Sequence, residues 1–151
     1  MADEPQVATP FSFTKPDTVN GKARIGLGSG GMVTASVQYL EEGGDNNLHA
    51  HSAEDEVFLI LSGKVRFYGP GDVMIAELGP NDGLVVPRGV AYWFERVGDD
   101  TLTIFKVGAQ DPYIKNERIN FEGLTEQQKA RGDQHPLTGR APTTEEIKAK
   151  A

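Results

Sequence analysis

The stretch "NNLHAHSAEDEVFLILSG", residues 46–63, decides the reading of this chain. It holds two of the three histidines, His49 and His51, one residue apart, with Glu56 five positions beyond the second. Alternate residues of a strand share a face, so both imidazoles can address one point, about 2 Å from each nitrogen if that point is an ion. The polar "SAED" before Glu56 reads as a bend that brings its carboxylate to a third corner. Two imidazoles and a carboxylate with open positions are the ligand set of non-haem iron and related metal sites, and spacing alone does not choose between Fe, Mn, Ni, Co and Zn. The competing reading makes these residues solvated loop side chains beside an unrelated strand.

The end of the stretch, "EVFLILSG" (56–63), is short, rich in β-branched and aromatic residues, and apolar on both faces. That is the pattern of a central strand between two layers. Upstream, "MVTASVQYL" (32–40) alternates with period two, Val33, Ala35, Val37 and Tyr39 on one face and Thr34, Ser36 and Gln38 on the other. Downstream, turn signals at "GPGD" (69–72), "LGPNDG" (78–83), "PRG" (87–89) and "VGDD" (97–100) separate short apolar runs. Strands at intervals of about ten residues predict an all-β sandwich or small barrel rather than β-α units. The expected organisation is a polar arm (1–22), one antiparallel barrel (23–114) and a charged C-terminal tail (115–151). In the tail, Thr125 with Gln128 and Thr143 with Glu146 have capping-box spacing and predict short helices.

Composition narrows the function classes. The 151 residues suffice for one domain with a core. A formal charge of −7 argues against nucleic acid as a partner. With no cysteine, disulfides and thiolate ligands are excluded, and any metal must be held by nitrogen and oxygen. The acidic N-terminus lacks the apolar core of a signal peptide, and nowhere do 18 apolar residues run together, so a cytoplasmic protein without a membrane partner is expected.

The wider pattern resembles the first conserved motif of the cupin superfamily: glycine, five residues, His-x-His, three or four residues, Glu, six residues, Gly. Gly43, His49, His51, Glu56 and Gly63 stand at those intervals. The second cupin motif is partly kept: Pro87 and Gly89 are in register, while Asn81 stands at the opening glycine, Arg96 at the final asparagine, and Tyr92 where the family places a fourth, histidine ligand. The resemblance implies a jelly-roll barrel and one divalent ion per chain, Fe(II) by preference, on His49, His51 and Glu56.

For Tyr92 three roles stay open: phenolate ligand, hydrogen-bond donor or general acid toward a bound substrate, and core filler. Alternation from Glu56 and Tyr92 directs Phe58, Ile60 and Phe94 inward, and with Tyr39 and Phe105 these are the candidate substrate-binding residues. Such a lining suits a small organic molecule, aromatic or enolisable. Gln38, Arg66 and Lys106 read as surface residues, and His135 in the tail as a remote candidate for an extra ligand. Trp93, Val57, Leu59 and Leu61 then face outward and call for cover, so a homodimer is expected. Within the cupin family the ligand set implies a metal-dependent dioxygenase first, with Glu56 and Tyr92 in catalysis. A lyase, isomerase or cyclase using the ion as a Lewis acid comes next, and a non-catalytic small-molecule-binding barrel is the contrasting expectation.

Overall fold

A computed structural model describes residues 7–42 and 47–122. Gly43, His135 and the two capping boxes of the tail lie outside the described residues. Ten strands follow in order: β1 (Lys22–Ser29), β2 (Val33–Leu40), β3 (His49–His51), β4 (Glu54–Ser62), β5 (Lys64–Tyr68), β6 (Met74–Leu78), β7 (Gly83–Val86), β8 (Trp93–Val97), β9 (Leu102–Gln110) and β10 (Arg118–Asn120). One layer is a five-stranded antiparallel sheet in the order β1-β2-β9-β4-β7. The other is built from β6-β5-β8 and β10-β3, joined by an antiparallel bridge between His49 and Tyr92. The architecture is the double-layered jelly roll expected from the sequence. The arm before Thr18 is exposed and without regular structure.

β4 lies between β7 and β9, as its two-sided apolar pattern predicts, and it carries the core. Phe58 and Ile60 pack with Val65, Phe67, Phe94, Leu102 and Ile104 between the layers. The opposite face of β4 sends Val57, Leu59 and Leu61 outward, as expected, each more than a third exposed. Trp93 is also outward, stacked on Tyr68 with ring centroids 4.3 Å apart.

Register overturns one expectation. β2 pairs with β9 so that Gln38 opposes Ile104 and Leu40 opposes Leu102, which puts the polar face of β2 toward the interior. Tyr39 and Phe105 therefore lie on the side of the sheet away from the Phe58–Ile104 core, Phe105 opposite Val37 and Leu59; Tyr39 and Val37 are nonetheless buried there, and neither Tyr39 nor Phe105 lines the interior as expected for substrate binding. The chain past residue 114 also differs from the expected tail: β10 pairs with β3 in the register Arg118 to His51 and Asn120 to His49, so the barrel uses a strand read as tail.

Two turns show what the motif positions require. Gly63 has φ +78°, and a Cβ there would lie 2.6 Å from the carbonyl oxygen of Thr101. Asn81, at the family's glycine position, has φ 72°, a conformation that asparagine tolerates better than most side chains. Gly63→Ala is expected to lower the unfolding free energy by about 2 kcal/mol or more, read from urea denaturation, because strain and a backbone clash add.

Candidate metal centre

His49 lies mid-barrel through backbone pairing. Its N–H donates to the carbonyl of Tyr92 at 3.1 Å, and the Tyr92 N–H returns to the His49 carbonyl at 2.9 Å. The pairing also holds the two rings together, with centroids 4.5 Å apart. The His49 ring donates from Nδ1 to the carbonyl of Asn47 at 2.6 Å. A carbonyl only accepts, so Nδ1 carries the proton and Nε2 keeps its lone pair in the neutral ring. Burial, with the nearby Arg118 charge, holds the His49 pKa well below the ordinary histidine value, so the neutral form prevails.

Asn47 is fixed in turn. Its side-chain nitrogen donates to Asn120 Oδ1 at 3.1 Å and to the Glu122 carbonyl at 3.0 Å, and its oxygen accepts from Arg118 Nη2 at 2.8 Å. β10 therefore buttresses the histidine strand.

His51, one strand period on, sits with its ring 5.2 Å from that of His49 and almost perpendicular to it. Burial pushes its pKa down to about 4, against the opposing pull of Glu56, with Lys106, Arg118 and Arg24 adding to the depression. Its Nε2 is buried without a hydrogen-bond partner, 3.4 Å from Glu56 Oε1 but out of hydrogen-bond alignment.

Glu56 is the hub, 1% exposed. Oε1 accepts from the Tyr92 hydroxyl at 2.7 Å. Oε2 has no hydrogen-bond partner, yet the Lys106 ammonium lies 2.5 Å away, an ion pair in distance without hydrogen-bond directionality. Burial first, then the Glu56 charge and hydrogen bond, drive the Tyr92 pKa well above the ordinary phenol value. Tyr92 is thus a neutral phenol that donates to the Glu56 carboxylate, a partner other than the substrate or the ion expected for it. Glu54, on the same face, has its pKa raised by burial and accepts from Asn116 at 2.8 Å.

Lys106 corrects the sequence reading, which put it at the surface. It opposes Phe58 across the β4–β9 pair, keeps only 12% of its side chain exposed, and places its nitrogen 5.8 Å from the Phe58 ring centroid. The signal was present in "TLTIFKV": if Ile104 points inward, so does Lys106. Gln38, also read as a surface residue, is 7% exposed and faces inward, whereas Arg66 is a surface residue as expected, paired with Glu77 at 2.8 Å. Arg24 and Arg118 were missed because only pairing of β1 and β10 brings them near, and Asn47, two residues before His49, because only its backbone carbonyl meets the ring. Phe58, Ile60 and Phe94 sit beneath the polar cluster as fully packed core, with Phe58 5.7 Å from Tyr92 between ring centroids.

The sequence profile of the cupin family matches residues 13–126. The chain belongs to the cupin family. Solved structures similar to it include KdgF from a Halomonas species, at 17% identity and TM-score 0.56, with 64% of this chain and 84% of that chain aligned. A RmlC-like cupin from Shewanella frigidimarina matches at 19% identity and TM-score 0.56, over 70% of this chain and 95% of that one. The DMSP lyase DddQ from Ruegeria pomeroyi matches at 23% identity and TM-score 0.50, over 64% of this chain and 50% of that one. At these identities the likeness is one of fold. No curated protein matches significantly.

The family often binds a metal. This cupin has the right donor types, two neutral imidazoles and a carboxylate, with His51 Nε2 and Glu56 Oε2 left without hydrogen bonds. As arranged they do not fit an ion: among the described residues no three His, Cys, Asp or Glu side chains come together as a metal requires, and Lys106 already neutralises the one carboxylate beside His51. Also among the described residues, no helix is long and apolar enough to cross a membrane.

Folding stability of the chelated protein should fall as pH drops from about 6.5 to about 4. His51 is protonated in the unfolded chain over that window but resists protonation in the fold, which is a loss of about 2–3 kcal/mol from this residue. His49 adds in the same direction. Chemical denaturation at stepped pH measures this, and His51→Gln should flatten the slope. Tyr92→Phe should cost about 1–3 kcal/mol by the same assay, since it strips a donor from a buried carboxylate.

Proposed function

We propose that this cupin moves a proton on a small enolisable organic molecule, as an isomerase, lyase or cyclase. The observation that carries the reading is Glu56 Oε2, a buried carboxylate oxygen without a hydrogen bond, in an ion pair with the Lys106 ammonium. A general base needs a lone pair that substrate can reach, and Oε2 offers one when the Lys106 ammonium shifts from it toward the substrate oxygen. The substrate's acidic C–H gives its proton to Oε2. The electron pair moves onto the neighbouring carbonyl oxygen, where the Lys106 charge opposes the developing negative charge. The Tyr92 hydroxyl keeps Glu56 in place through Oε1. The proton then returns to a different carbon, or a leaving group departs with the electron pair. Phe58, with Ile60 and Phe94 behind it, packs beneath the polar cluster and keeps its underside apolar. DddQ, a DMSP lyase, shows a similar barrel hosting lyase chemistry.

A second reading is favoured by the two neutral imidazoles and the unpartnered His51 Nε2: His49, His51 and Glu56 hold a divalent ion, Fe(II) by preference, for dioxygenation. It requires Lys106 to leave Glu56.

A panel of small keto acids, diketones and phenols, followed by solvent-deuterium incorporation and by an oxygen electrode, separates the two. Chelator-resistant deuterium exchange that falls at least about 100-fold in Glu56→Gln supports the proton-transfer reading. Oxygen uptake that depends on added Fe(II), without exchange, overturns it in favour of dioxygenation.

The outward face of β4 and β7, with Val57, Leu59, Leu61 and Val85 exposed, supports a homodimer. Light scattering should give twice the chain mass, and Leu59→Lys should halve it.

A further inference from the structure

We infer that Lys106 is a built-in counter-cation for Glu56, and that its pairing with this carboxylate competes with divalent metal binding at His49, His51 and Glu56.

The geometry sets the two cations against each other. Lys106 Nζ lies 2.5 Å from Glu56 Oε2, and Glu56 is buried, so the pair is screened poorly by solvent. With Lys106 in place the carboxylate and ammonium cancel. An ion drawn in by His51 Nε2, 3.4 Å from the other carboxylate oxygen, would place a double charge close to that ammonium. Arg118 and Arg24 already bear on His51 with the same sign, and Glu54 is the further acid on this face of β4. Repulsion between like charges a few ångströms apart in a partly dry site takes back a large part of what the shared carboxylate would give the ion.

The lysine can yield. Its stem is a flexible chain of four carbons, and 12% of the side chain reaches solvent, so it has a route out of the barrel. Glu56 therefore has two possible partners, one covalently attached to the chain and one from solution.

This inference concerns occupancy of the site and not turnover, so its failure would leave the proton-transfer reading standing, and the reverse holds too. The test is Co(II) titration by calorimetry, with the visible absorption of Co(II) reporting imidazole ligation, on the full chain and on Lys106→Met. Removing the ammonium should tighten Co(II) binding at least about tenfold. Adding His51→Ala to Lys106→Met should abolish both the gain and the absorption band. Lys106→Arg, which keeps the charge, should bind as weakly as the parent chain. Should Lys106→Met fail to fold, Lys106→Gln, similar in length and polar, gives the same readout. Equal affinity in the parent chain and the charge-removed variant, whether both bind or neither does, overturns the inference.

Discussion

A carboxylate taken out of water must be compensated or it unfolds its surroundings, and Glu56 is compensated from two sides. A phenol holds one oxygen and an ammonium faces the other. Three strands meet through this one side chain: β4 carries it, β9 brings Lys106, and the segment entering β8 brings Tyr92. The arrangement keeps a charged pair inside a barrel whose remaining core, from Phe58 to Ile104, is apolar.

The histidines are positioned by different means. His49 depends on the reciprocal backbone pair with Tyr92, which also clips the β10-β3 ribbon to the three-stranded sheet. Its ring is set by Asn47, and Asn47 by Arg118 and Asn120 from β10. A strand near the end of the described chain thus decides the tautomer of a ring in the middle. Burial does the remainder by keeping both imidazoles uncharged, with Arg118 and Lys106 acting on both and Arg24 on His51 in the same direction.

Family membership gives the barrel and leaves the chemistry open, because fold does not fix function. The motif of imidazoles and carboxylate is present, but the local charge balance differs from the one the motif alone suggests. An inward lysine supplies positive charge at the carboxylate without any ion. Tyr92, in place of a fourth imidazole, supplies a neutral hydrogen-bond donor.

Period-two alternation, turn residues and motif spacing were local properties, and they sufficed for the all-β class, the central position of β4, the inward set His49, Glu56, Phe58, Ile60, Tyr92 and Phe94, and the outward set Val57, Leu59 and Leu61. Alternation says which residues share a face but not which face is interior. The apolar side of β2 reads as inward, and only its register against β9 reverses that, placing Tyr39 and Phe105 on the far side of the sheet, with Tyr39 still buried, and Gln38 inside. The roles of Lys106, Arg24 and Arg118 likewise came from strand pairing between segments far apart in the chain, since a charge looks like surface until a partner across the barrel neutralises it.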